Sequence, residues 1–450
     1  MKTKRNFKSI FVATFVELFF FTMMGTIDAI MLSNLNDHAV GSVGNANTLI
    51  QIFAVLLLIV TNGVAVLVSQ YIGANRNEKA RQVIGSGLLV NLLIGLALAI
   101  IMHFSVTFLL TLIQTDSSLM EDSKTYFQVI GYSFVFLAFS AVAAGSLRSY
   151  GYAKYITIVA ICGNVLNIFG NYVFINGYLG FPRLGVFGAA ISTFGVRGLM
   201  MITYLIILMI LVKFKLSDLK MDKESNKNIF RIGLPSAAES FSYTAMQIII
   251  LGMINSLGPD FTTAKTYMNI ILTYIYIFSL SFATANAVMT GYYIGERNYD
   301  KAHRETNKAV LRSFVTVLLV TLIVNLSSGL IINIFTENVV IITTVRKVLW
   351  IALLLEFGRS INMITLQALR SAGDTTYPLI IAVMSMMGIA VPVAYFFGIY
   401  WGFGLFGIYI AYTLDELIRA GFAVFRWHSR KWEAKSSYLE KDVAIGLEKV

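Results

Sequence analysis

"SQYIGANRNEKA" at residues 69–80 returns as "GYYIGERNYDKA" at 291–302, displaced by 222 positions. The same shift carries "LRSYG" (147–151) onto "LRSAG" (369–373), Glu17 onto Glu239 and Asn47 onto Asn269. Farther on, "LGVFGAA" (184–190) matches "FGLFGIY" (403–409) at 219, as a three-residue loop deletion would produce. One displacement held over such distances is the mark of an internal duplication, and it has to be read before any motif. The chain is two copies of one unit.

Composition says what each copy is made of. Of 450 residues, 57% are hydrophobic and only 13% are charged, where a soluble globular domain carries about 25% charged residues. Apolar runs of about 20 residues, the length of a spanning helix, occur twelve times. They lie near 9–32, 43–70, 86–112, 126–147, 155–176, 186–212, 232–256, 265–293, 309–334, 345–368, 377–398 and 403–427. The expected fold is an all-α membrane protein with twelve transmembrane helices in two six-helix lobes. An even number of spans returns the chain to its starting side, so the two copies are parallel repeats. Substrate sites in such proteins commonly lie where the repeats meet. The expected organisation is an N-terminal lobe (1–212), a basic linker (213–231), a C-terminal lobe (232–427) and a tail (428–450).

A net charge of +11 raises the question of nucleic acid, and the distribution answers it. With the N-terminus placed in the cytoplasm, 27 of the 35 Lys and Arg fall in cytoplasmic segments or, as Arg312 and Arg426 do, at the cytoplasmic ends of spans. Lys124 and Arg183 fall outside, Lys265, Arg346 and Lys347 stand at the outer ends of spans, and Arg197, Arg359 and Arg419 fall deep within spans. That asymmetry is the positive-inside rule. The basicity is topology, and both termini are expected in the cytoplasm. The start, "MKTKRNFK", runs into apolar sequence without a small-residue cleavage site, which reads as a retained first span.

Enzyme and metal chemistry find no foothold. Cys162 is the only cysteine, which excludes an intramolecular disulfide framework and a Cys-rich metal site. His38, His103, His303 and His428 are scattered without ligand spacing, and no Gly-flanked nucleophile motif is present. What the spans do carry is acid. Glu17 and Asp28 are eleven residues apart on the first span, hence on nearly one face and roughly 16 Å apart. Ionisable groups inside a membrane usually face a bundle interior or a wet cavity. Glu17 and its mate Glu239 lie about two turns inside the cytoplasmic surface; they read as cavity lining or as groups reaching for the interface.

Twelve spans in two lobes, "MGTIDAIM" in the first helix, "SQYIGA" after the second, "ALRSAGDTTYP" after the tenth and the "FRWHSRKW" ending together resemble the MATE (multidrug and toxic compound extrusion) family of the MOP flippase superfamily. The resemblance covers about residues 10 to 432. It implies a secondary antiporter that exports cationic or amphiphilic drugs and metabolites in exchange for H+ or Na+, its lobes rocking about a central cavity. No cofactor beyond the coupling cation is implied. The expected setting is a bacterial plasma membrane, crossed many times by a monomer whose partners are lipid and a small amphiphilic or cationic substrate. A flippase or exporter for a lipid-linked sugar or cell-wall precursor, from the same superfamily, is the alternative. It would call for more positive charge within the spans.

Residue by residue, the resemblance makes Asp28 the coupling or protonation site, with Asn167, Asn171 and Thr193 as its polar neighbours. Many relatives carry Asp where this chain has Asn171, so a proton switch on Asp28 becomes simpler than a sodium site. Asn167 and Asn171 are four apart and share a helical face; interhelical hydrogen bonding is their other reading. In the second half, one sodium-coupled branch has a glutamate where this chain has Tyr243, and an aspartate where it has Arg359. Glu356, Arg359, Asp415, Glu416 and Arg419 instead form an expected charge network, with Arg359 neutralised by Glu239, Glu356 or both. Glu17, Glu239, Met24, Tyr243, Tyr267 and Tyr274 are the expected cavity residues, because Met adapts to varied ligands and aromatic faces attract organic cations.

Overall fold

Helix boundaries obey the repeat. Helix α2 (Asp37–Gly73) and helix α9 (Pro259–Gly295) end 222 residues apart, and α3 (Asn77–Leu112) and α10 (Tyr299–Leu326) begin 222 apart. Helices α5 (Phe134–Ser149) and α12 (Val339–Ser371) end at the same displacement, while α7 (Gly185–Ile207) and α15 (Gly404–His428) begin 219 apart. The turns repeat as well. Gly151 and Gly373, which close the two Leu-Arg-Ser motifs, both have φ of +86°, a left-handed conformation that glycine reaches without steric strain.

The computed structural model describes residues 6–33, 37–113 and 115–436; the side chains at 24–26, 29, 30, 33, 37 and 38, Met24 and His38 among them, lie outside the description. The remaining elements are α1 (Phe7–Ser33), α4 (Ser117–Tyr132), α6 (Ala153–Asn176), α8 (Lys223–Ser256), α11 (Ser328–Asn333), α13 (Thr376–Ser385) and α14 (Val391–Val393). Helices α4 and α5 form one rod bent by 46°. The break falls at Ser133, whose hydroxyl donates to the Ile130 carbonyl at 2.6 Å, a local bond that competes with the helical ladder. α13 continues through π-helical turns at Met386–Ala390 and Ala394–Tyr400 to complete another rod.

Among the described residues, eight helices are long and apolar enough to cross a membrane, and the bent α4–α5 pair makes a ninth. Helices α1, α12 and α15 complete the twelve. Each carries acids in its interior (Glu17 and Asp28; Glu356; Asp415 and Glu416). Partners inside the protein make those charges tolerable.

The chain divides into two compact units, residues 1–72 with 76–233, and residues 73–75 with 234–450. Leu49, Phe127, Ile130, Phe134 and Ala190 lie in the core of the first unit. Met246, Met268, Leu349 and Ile408 lie in that of the second. The basic linker is folded rather than free. The Asp222 N–H donates to Ser86 Oγ at 2.9 Å, and Ser86 Oγ donates to Asn226 Oδ1 at 2.7 Å, tying the start of α8 to α3.

Candidate ion-coupling site

Three helices of the first unit converge on Asp28. Asn167 and Asn171, one turn apart on α6, are both buried. The Asn171 amide donates to Asp28 Oδ1 at 2.8 Å and, at 3.4 Å, to Asn167 Oδ1. Asn167 in turn donates to Thr193 Oγ1 at 3.2 Å and Ser192 Oγ at 3.3 Å on α7. Thr193 donates to the Ala189 carbonyl, and Ser192 to the Asn167 carbonyl. Asp28, Asn167, Asn171 and Thr193 are therefore one hydrogen-bonded chain across α1, α6 and α7. These bonds also glue the helices together, as amides in membranes do. The ionisable carboxyl at the end of the chain goes beyond glue.

Two features of this site escaped the sequence reading. Ser192 is one. The other is Gly170, where an added Cβ would sit 2.4 Å from Ser192 Oγ; the missing side chain lets α7 approach α6 beside the amides. A small residue flanked by amides at one-turn spacing was the available signal. Asn171 Oδ1, buried, has no hydrogen-bond partner among the described residues. Turning that amide over would place Oδ1 where Nδ2 now stands, facing the carboxyl.

Glu17 and Glu239 have partners. Arg148 Nη2 lies 2.7 Å from Glu17 Oε2, and Arg370 Nη1 lies 2.7 Å from Glu239 Oε2. Both arginines belong to the repeated Leu-Arg-Ser motifs.

The second unit gathers five charged groups between α12 and α15. Arg359 bonds Glu356 one turn away on its own helix and reaches Glu416 Oε1 at 3.3 Å. Arg419 holds Asp415 at 2.6 Å and Glu416 at 3.1 Å. Asn362 donates to Glu416 Oε2 at 2.8 Å. Of the two partners expected for Arg359, Glu356 holds it and Glu239 does not, because Glu239 is taken by Arg370; Glu416 is the second acid on Arg359. Equal depth in the membrane does not fix which way a side chain faces around its helix. Three carboxylates against two guanidiniums leave the group one acid in excess. Gly358 makes the approach possible: a Cβ there would lie 3.0 Å from the Leu417 nitrogen.

Of the aromatic positions, Tyr243 accepts from Gln247 at 2.9 Å, and Gln247 accepts from Tyr412 at 3.0 Å. Tyr267 donates to the Phe335 carbonyl at 3.2 Å and packs on the Phe335 ring, which commits it to its own lobe. Tyr274 is half-buried.

Duplicated six-helix lobes with an acid embedded in the first define a membrane transporter. The family model MatE matches residues 13–173 and again 235–396, its two matches starting 222 residues apart like the sequence echoes. The chain belongs to the MATE family. It is 35% identical over 428 residues to the uncharacterized transporter YisQ of Bacillus subtilis, covering 94% of this chain and 93% of that protein. It is 26% identical over 425 residues to the probable multidrug resistance protein NorM of Thermotoga maritima, covering 92% and 90%. Its fold superposes with a TM-score of 0.87 on an outward-facing multidrug resistance MATE transporter of the MOP superfamily, at 23% identity over 97% of this chain and all of that one. The protein is a multi-pass membrane transporter and not an enzyme.

Proposed function

We propose that the protein is a monomeric secondary antiporter of the plasma membrane, with both termini cytoplasmic, that exports cationic or amphiphilic small molecules by alternating access. Protons entering on Asp28 drive it. The observation that carries this reading is the lone Asp28 carboxyl held at 2.8 Å by the Asn171 amide. An amide presents either a donor or an acceptor by turning over. Its N–H pairs with the ionised carboxyl, and its Oδ1, which has no other partner among the described residues, pairs with the protonated one. The four-residue chain offers one formal negative charge, whereas hard cations favour several oxygen ligands. Sodium is thus the weaker candidate for coupling.

The lipid-linked alternative needs free positive charge within the spans. Arg359 and Arg419 are both held by carboxylates, which weighs against it; Arg197, the third span arginine, donates to Ser133 Oγ at 2.7 Å and has no carboxylate partner among the described residues.

The test is efflux of a fluorescent organic cation from proteoliposomes, with pH and sodium gradients imposed separately. Asp28→Asn is expected to abolish gradient-driven efflux while the protein still folds and inserts. Undiminished efflux by Asp28→Asn under a pH gradient would overturn the assignment.

A further inference from the structure

Away from Asp28, a groove of about 470 Å³ opens between the first turns of α1 and α6. That volume is within the roughly 300–1,000 Å³ range of small-molecule sites. Lys8 from α1 and Lys154 from α6 stand on opposite walls at its rim, and both are exposed. No acidic side chain lines it, and neither lysine has an ion-pair partner among the described residues. Deeper in, the lining changes character. Val12 and Val16 follow Lys8 at successive turns, and Ile158 follows Lys154 by one turn, so the walls become apolar over roughly 12 Å. Val12 and Ile158 are each 46% exposed. Thr157 Oγ1 donates to the Ala13 carbonyl at 2.8 Å and fixes the two helices around the groove.

We infer that this groove binds one anionic phospholipid, its phosphate between Lys8 and Lys154 and an acyl chain along Val12, Val16 and Ile158. Charge complementarity selects the occupant. A cationic rim above an apolar floor matches a negative headgroup on a hydrocarbon tail, and basic pockets between membrane helices on the cytoplasmic side are where such headgroups bind. The site rests on the proposed cytoplasmic placement of the N-terminus, the side on which anionic lipids face basic residues. The chain's own first residues, with Lys2, Lys4 and Arg5, would be repelled by the same rim.

The experiment is native mass spectrometry of the full-length protein released from nanodiscs of equal phosphatidylglycerol and phosphatidylcholine. This readout does not depend on orientation, so it can fail independently of the topology and of the transport reading. Wild type should retain one phosphatidylglycerol. In the variant Lys8→Gln with Lys154→Gln, the preference over phosphatidylcholine should fall by roughly 30-fold, the loss expected for two lysines near an anionic surface. A second variant, Val12→Trp with Ile158→Trp, keeps both charges and fills the apolar floor; it should lose the lipid too. Unchanged retention in either variant would overturn the site. So would a mass showing a second copy of the chain bound in a Lys8- and Lys154-dependent way.

Discussion

Glu17 and Arg148 meet at 2.7 Å across 131 residues of chain, and Glu239 and Arg370 meet at 2.7 Å across the same 131. The duplication has preserved an interhelical ion pair in both lobes. Each pair is partly exposed (side-chain exposures of 23% and 19%, and of 12% and 14%), so its worth lies between a surface bridge and a buried one. Arg148→Ala and Arg370→Ala should each destabilise by about 1–3 kcal/mol. Melting temperatures in detergent check this, and a double-mutant cycle with Glu17→Gln should recover a coupling energy. If Glu17 serves only substrate, Glu17→Gln will shift drug preference while Arg148→Ala does not.

Arg359 is held by Glu356 and Glu416 in a cluster that already carries one acid too many. Arg359→Ala should therefore lower stability by about 3–5 kcal/mol, the penalty for stripping a buried charge of its partner. Adding Glu356→Gln should restore part of the loss. Abundance and thermal melting of the single and double variants are the measurement; an additive loss would contradict the pairing.

Asn171 presents one amide to Asp28. Asn171→Asp would place a second carboxylate in the same chain of hydrogen bonds, and two formal charges with neutral oxygens nearby suit a hard monovalent cation. Efflux by this variant should depend on the sodium gradient more strongly than efflux by the parent. Identical sodium responses in the two proteins would count against Asp28 as the coupling centre.

Topology gives a further expectation. Cys162 is exposed and must first be replaced. In a Cys162→Ser background, a membrane-impermeant thiol reagent applied to intact cells should label Gly180→Cys, in the α6–α7 loop, and spare Lys220→Cys, in the linker. Labelling at 220 would invert the orientation.

In the sequence, twelve spans, two lobes and their internal repeat were all legible. A bilayer forces each spanning segment to be apolar and to satisfy its own backbone, so the information runs along the chain and needs no contacts. Pairs within one helix were legible for the same reason. Glu356 with Arg359, Asp415 with Arg419 and Asn167 with Asn171 are spaced three or four apart, and helical geometry alone makes them neighbours. Partners on different helices were not legible. Assigning Arg370 rather than Arg359 to Glu239, bringing Ser192 to Asn167, and placing Glu416 between two arginines all depend on how each helix is turned about its axis. That rotation is set by packing between helices, with gaps such as those at Gly170 and Gly358 permitting close approach. Hydropathy read along the chain determined which segments cross the membrane; only the packed structure decided which charges meet inside it.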